Sequence, residues 1–256
     1  IICELSNWDG IAYKIPKAML KESKGLKYIN NTGVYLLFGE KEEIPYAYVG
    51  ESENLYDRLI QHLNDDKDFW IECVAFTRKD NSLNKAHIKY IENILYKEAK
   101  KAARYEVDNG LTPTQSSLSE YEEAEMKEII DNIKMLTNAL GYKVFSYTEK
   151  KKVENKNILY FKTKNFEAKG IITNEGFMVL KGSKVSKILA NKSLGKGYKA
   201  LRMRLEKEKI INENYEFTTD YIFNSSSAAA KIVSGYSCSG PIVWKNKEGK
   251  MLKELS

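Results

Sequence analysis

The sequence predicts an α+β protein of two domains, and three observations carry that expectation. Short segments that alternate apolar and polar residues are interleaved with longer stretches whose apolar residues recur at helical spacing. The charge is split: residues 1–145 sum to −5 and residues 146–256 to +11, for a net +6. A charged run over 149–156 lies where the two halves meet. With 256 residues, 43% of them hydrophobic, the chain is apolar enough to fold and long enough for two cores. A larger domain is therefore expected over 1–146, a linker over 147–157, and a smaller α+β domain over 158–256.

Each element follows from its local pattern. The stretch 33–39 alternates as a strand, a polar turn covers 40–45, and a second strand covers 46–50. Ser52 is the expected cap of a helix over 53–64, where Leu55, Leu59 and Leu63 recur four apart. A third strand is expected over 70–77. Ile88, Ile91, Leu95 and Ala99 line one face of a helix over 84–105, and 108–117, with Gly110 and Pro113, reads as a loop. Ser119 and Glu122 form a capping box for the next helix, with acidic residues in its first turn. Met126, Ile129, Ile130, Ile133 and Leu140 are its apolar side, and Gly141 its stop.

In the second half, strands are expected over 158–173 and 177–181 around an Asn174-Glu175-Gly176 turn. A basic amphipathic helix follows over 197–210. A short helix capped by Ser225 ends at Gly235, and a last hairpin joins 242–244 to 251–252.

Several classes are excluded by composition. The longest apolar run, 34–38, falls far short of the roughly 20 residues that span a bilayer. No basic n-region or long apolar h-region opens the sequence, so no signal peptide is expected. Cys3, Cys73 and Cys238 are far apart and odd in number, which suits reduced thiols in a cytoplasm rather than a disulfide framework or zinc knuckle. The basic half points to a polyanion, with nucleic acid the commonest partner and a solvated lysine surface the alternative. Only five of the 41 cations are Arg, which suits phosphate attraction better than base-edge readout. The basic helix offers Lys199, Arg202, Arg204, Lys207 and Lys209 for phosphate contacts. Tyr236 and Trp244 could stack on bases, although core packing suits Trp244 better.

Gly33-Val34-Tyr35 and Tyr48-Val49-Gly50 stand on two expected neighbouring strands, followed in order by Arg58, His62, Glu92 and Asn109. This set resembles the GIY-YIG nuclease family over roughly residues 30–110. The whole chain is similar to bacterial GIY-YIG proteins with an extra C-terminal domain, and the stretch from Ser225 to Trp244 resembles small modules attached to restriction–modification proteins. The resemblance implies a three-stranded antiparallel sheet flanked by helices. It also implies an endonuclease that hydrolyses DNA phosphodiesters with Mg²⁺ or Mn²⁺, in restriction, defence or repair. By position, Tyr35 and Tyr48 are the motif tyrosines, Arg58 and His62 the helix pair, Glu92 the single metal-binding carboxylate, and Asn109 a polar brace. Val34 and Val49 replace the family's Ile and keep the buried aliphatic.

The same residues carry weight without the family. Glu92 falls within the apolar face of its helix, where an ionised carboxylate is costly unless paired. A hard divalent cation would satisfy it, and so would a salt bridge or partial exposure. Arg58 and His62 lie one turn apart and project together; a guanidinium there would stabilise charge growing on a phosphate, and the imidazole could exchange a proton. An ordinary surface pair is the alternative. Tyr35 and Tyr48 suit strands as plain aromatics. In the functional reading both hydroxyls face one side, and nearby cations lower the Tyr35 phenol so that, relayed by His62, it activates water. Tyr48 orients the water or the phosphate, Arg58 faces the transition state, and the metal on Glu92 relieves charge on the leaving oxygen. A catalytically inactive nucleic-acid-binding protein and a nuclease for RNA or branched DNA are the competing readings. Double-strand cleavage from one site per chain calls for a homodimer or two successive nicks.

Overall fold

The computed structural model describes residues 1–42, 44–65, 67–146, 158–190 and 193–255; the expected linker over 147–157 lies outside the described residues. The chain divides into two compact units, Ile1–Lys41 with Pro45–Ser146, and Tyr147–Ser256 with Glu42–Ile44. Both mix helix and sheet, so the α+β class holds.

In the first unit, β1 (Ile2–Glu4), β2 (Gly10–Pro16), β3 (Gly33–Lys41), β4 (Ile44–Ser52), β5 (Trp70–Arg78) and β6 (Glu106–Val107) form one sheet in the order β1-β2-β5-β3-β4-β6. The three strands read from the sequence are its contiguous centre. The expected three-stranded antiparallel sheet is nevertheless corrected to six strands. β2 pairs antiparallel with β5 and β1 with β2, while β6 runs parallel to β4. β2 escapes pattern reading because it is buried on both faces and so lacks alternation. β6, at two residues, is too short for any periodicity.

Period-two alternation along β3 sorts its side chains between two cores. Val34, Leu36 and Phe38 join Ile88, Ile91 and Leu95 of α2 (Lys85–Ala102) and Ile129, Ile130 and Ile133 of α3 (Glu120–Ala139). Tyr35 and Leu37 face the other way, onto Leu55 and Leu59 of α1 (Leu55–Gln61), with Trp70 and Cys73. On β4 the same rule sends Ala47 and Val49 to the first core, and Tyr46 and Tyr48 to the second. Both motif tyrosines thus share the α1 side of the sheet.

Caps fix the helices. β4 extends through Ser52, so the cap of α1 moves from the expected Ser52 to Asn54, whose side chain accepts from the Asp57 amide at 3.1 Å. Asn84 caps α2 with His87 closing the box, a structural role for that histidine. The Ser119–Glu122 capping box of α3 is present as expected.

The second unit holds an antiparallel sheet in the order β10-β9-β8-β7, from β7 (Leu159–Lys162), β8 (Glu167–Thr173), β9 (Gly176–Val179) and β10 (Tyr221–Phe223). The single strand expected over 158–173 is two, divided where the Thr163 hydroxyl accepts the amides of Asn165 and Phe166. The helices are α4 (Lys196–Lys207), α5 (Ser226–Ser234) and α6 (Gly240–Val243). Ser225 caps α5, and Gly235 ends it in the left-handed region at φ 75°. The expected last hairpin is corrected in part: 240–243 form a helical turn, while the Lys245–Met251 bridge and the bond from the Leu252 amide to the Trp244 carbonyl at 2.8 Å keep the pairing beyond it. Pro241 in the first turn, with its fixed φ and missing N–H, overrides the apolar run that reads as a strand. Trp244 is fully buried against the rings of Phe161 and Phe177, and its indole N–H donates to the Ser226 carbonyl at 3.0 Å. It belongs to the core, as the sequence favoured.

Candidate active site

Strands β3 and β4 and helix α1 bring four of the expected residues together. The Tyr35 hydroxyl lies 2.7 Å from His62 Nε2 and accepts from Arg58 Nε at 3.3 Å. Arg58 and His62 reach the same oxygen because they stand one turn apart, His62 as the C-cap of α1. The Tyr48 ring lies 6.1 Å from that of Tyr35 and 5.5 Å from the imidazole. Gly50, which closes the Tyr48-Val49-Gly50 triplet, is required here: a Cβ at this position would collide with the Tyr35 hydroxyl. On its far side, His62 Nδ1 bonds the Asp65 carboxylate. Asp65 is anchored by the Lys67 amide, 3.0 Å from Oδ1, and by the Lys67 ammonium, 3.5 Å from Oδ2. That ammonium also lies 4.8 Å from the centre of the Tyr48 ring.

Burial sets the protonation of this cluster. Tyr35 and His62 are fully buried. Burial, reinforced by Tyr48, pushes the Tyr35 phenol far above its ordinary range, and Arg58 offsets only part of that. The neighbouring cation alone therefore does not lower the phenol, because the desolvation of its anion outweighs it. Burial also holds the His62 imidazole below its usual value, Arg58 and Lys67 adding to the effect and Asp65 opposing it. For Asp65 burial acts upward, but hydrogen bonds with His62 and the Lys67 amide hold the carboxylate below its ordinary range.

Glu92 and Asn109 lie beside this cluster rather than in it. Glu92 is half-buried on α2, and no hydrogen bond or ion pair reaches it among the described residues. Burial first, and the Glu51 charge second, push its carboxyl up to about 7, against Lys85, Lys89 and Arg58. Glu51 follows Gly50 on β4 and pairs with Lys85 at 2.8 Å. A carboxylate with unspent oxygens fits a hard divalent cation. With no group of three or more His, Cys, Asp or Glu side chains among the described residues, such an ion would rest mainly on Glu92, water and substrate. Asn109 grips the backbone of the motif: its Oδ1 accepts from the Val49 amide at 3.1 Å and its Nδ2 donates to the Val49 carbonyl at 2.7 Å.

In the second unit the expected phosphate contacts separate. Arg202 is a correction. It is 1% exposed, with Nε on Glu206 at 2.8 Å, Nη1 on the Ile232 carbonyl at 2.7 Å and Nη2 on the Ser186 carbonyl at 2.9 Å. It crosslinks the core and faces no solvent. Lys199 and Arg204 are half-buried, and Arg204 donates to the Tyr221 hydroxyl at 3.3 Å. Lys207 and Lys209 are exposed, the latter past the end of α4 with φ 57°. Tyr236 is 39% exposed.

Sequence reading missed Asp65 and Glu51. Asp65 lies three residues after His62, a spacing that could have drawn attention, but the acidic run around it reads as a solvated loop.

Residues 159–256 match a family described as a domain of unknown function (DUF4357). No curated protein and no solved structure matches the chain.

Proposed function

We propose that the first unit is a divalent-metal-dependent endonuclease acting on DNA phosphodiester bonds, with the second unit as its nucleic-acid-binding module. The observation that carries this reading is the convergence of Arg58 and His62 on the Tyr35 oxygen, beside a half-buried carboxylate that no hydrogen bond or ion pair reaches among the described residues. A guanidinium, a proton-accepting relay and an unspent hard-oxygen ligand are the parts that phosphoryl transfer to water requires.

Arg58 spends Nε on Tyr35 and Nη1 on Gln61 and also interacts with Tyr48, and its remaining N–H groups are donors for a phosphate. Tyr48, half-exposed beside the buried Tyr35, is the phenol that meets and orients the water, while Tyr35 and His62 receive the proton behind it. Asn109 keeps β4, and with it Tyr48, in register with the site. Mg²⁺ or Mn²⁺, held by Glu92, would supply charge neutralisation at the leaving oxygen. On the second unit, the exposed Lys207 and Lys209 serve phosphate attraction. The three cysteines are free thiols, which supports a reducing, cytoplasmic setting. Restriction, defence and repair are the roles such an activity serves.

The test is a cleavage assay of wild type beside Glu92→Ala on plasmid and on duplex, nicked, flap and RNA oligonucleotides, with Mg²⁺, Mn²⁺ and EDTA. Metal-dependent cutting lost in Glu92→Ala is the expected result. Cutting by Glu92→Ala at the wild-type rate would remove Glu92 as the metal ligand. Binding without cutting on every substrate would replace the enzyme by a non-catalytic binding protein.

A further inference from the structure

We infer that Asp65 is the positioning residue of this site: its carboxylate accepts the His62 Nδ1 proton and so fixes the tautomer whose Nε2 accepts from Tyr35. The inference concerns the tautomer itself and rests on the nuclease reading for its catalytic consequence.

Hydrogen-bond accounting favours one arrangement. A neutral imidazole carries one proton on two nitrogens, and an ionised carboxylate can only accept. With Asp65 Oδ2 against Nδ1, the proton belongs on Nδ1 and the Nε2 lone pair faces the Tyr35 hydroxyl at 2.7 Å. Tyr35 then donates to Nε2 and accepts from Arg58 Nε, so its hydroxyl is satisfied both as donor and as acceptor. The other tautomer sets two acceptors face to face at Asp65. It also aims two donors, from Nε2 and Arg58, at the Tyr35 oxygen and turns the buried phenol proton away from Nε2, to the neighbouring Tyr48 hydroxyl.

The surroundings fix Asp65 in turn. The Lys67 amide holds Oδ1, which turns Oδ2 toward the ring, and the Trp70 indole N–H holds the His62 carbonyl at 3.3 Å. A proton passed inward therefore moves from Tyr35 to Nε2 while Tyr35 takes another from the water side. The phenol ends with the proton count it began with, and the imidazolium so formed faces a carboxylate.

The same anchoring predicts what Asp65→Asn does. The amide oxygen stays on the Lys67 N–H, so the amide nitrogen is turned toward His62 and donates where Oδ2 accepted. That drives the ring to the Nε2–H tautomer.

The experiment is ¹⁵N NMR of the full-length chain, with the only other histidine removed by His87→Gln for assignment. The expected spectrum has a neutral His62 protonated at Nδ1 and bare at Nε2. Asp65→Asn is expected to lose that signature, and Asp65→Glu to recover part of it. In cleavage, Asp65→Asn should lower kcat by about 10²–10⁴-fold while changing KM little, as a wrong histidine tautomer does. Protonation of wild-type His62 at Nε2, or a tautomer unchanged in Asp65→Asn, overturns the inference. So does an unchanged kcat in a wild type that cuts. If the wild type cuts nothing, the nuclease reading fails and the spectrum still decides for or against Asp65. If Asp65→Asn does not fold, the wild-type spectrum alone decides.

Discussion

Arg58 on α1 and Arg202 on α4 look alike as sequence: each is a cation on a short amphipathic helix, and each reads as a phosphate contact. They are opposites as structure. Arg202 is buried, and its Nε and both terminal nitrogens are spent on Glu206 and two backbone carbonyls, so it ties α4 to α5 and to the segment at Ser186. Arg58 is half-exposed, gives Nε to a phenol and Nη1 to Gln61, and in the proposed reading offers its remaining N–H groups to an incoming oxyanion. The distinction lies in where the donors go. A buried cation whose donors are spent on a carboxylate and backbone carbonyls has a structural job, whereas one that converges with other titratable groups on a single atom is available for chemistry.

Exchange of the two arginines would break or sharpen that contrast. Arg58→Ala should lower the cleavage rate by about 10²–10³-fold, the usual consequence of removing one preorganised donor to transition-state charge. Its thermal melt should stay close to wild type. Arg202→Ala should do the reverse. A buried carbonyl and a half-buried one lose their donor and Glu206 loses its partner, a loss of about 3 kcal/mol to the second unit. Urea unfolding of the full chain reads this, and the cutting rate per folded molecule should hold. A melt lowered by Arg58→Ala and untouched by Arg202→Ala would invert the comparison.

The same contrast reaches DNA affinity. Lys207→Ala with Lys209→Ala removes two exposed charges and should reduce the slope of log K against log salt by about 1–2. Arg202→Met should leave that slope unchanged, since a buried guanidinium releases no counterion. Titration of a labelled duplex between low and moderate salt separates the two. An unchanged slope in the lysine pair would move the phosphate contacts elsewhere on the chain.

How much of this was legible depended on range. The strands β3, β4 and β5, the capping box at Ser119 and the apolar face of α2 are local patterns, and all were readable. So were Tyr35, Tyr48, Arg58 and His62 as a set, because alternation on neighbouring strands and one turn of α1 are enough to gather them. β2 was not readable, since both of its faces are buried and its partner β5 lies some sixty residues on. Arg202 was misread for a related reason: a basic helix looks the same whether its arginine meets solvent or the carbonyls of Ile232 and Ser186, which arrive from distant parts of the chain. Asp65 sits in the open, and only the turn of chain held by Lys67 reveals that it faces His62.

The smallest expected effect is on stability, and it bears on Glu92. A carboxyl raised from an ordinary 4.5 to about 7 keeps its proton in the folded chain over a range where the unfolded chain has lost it. Its contribution to stability is therefore full below about pH 4.5 and is lost as the pH rises through about 7. Burial and Glu51, the two causes of the raised value, act against the charged form in the folded state alone. Glu92→Gln carries no such charge, so it should match wild type near pH 4.5 and exceed it at pH 8. Solvent screening at a half-buried carboxylate leaves a difference of about 1 kcal/mol. Urea midpoints at the two pH values, with EDTA present, measure it. Saturating Mg²⁺ at pH 8 should then raise the wild type and leave Glu92→Gln where it was, because only the wild type has the ionised oxygens that a hard cation can stabilise. Equal midpoints for the two proteins at pH 8 in EDTA would mean that Glu92 finds a partner in solution, and the contrast between spent and unspent charges would no longer mark it as part of the site.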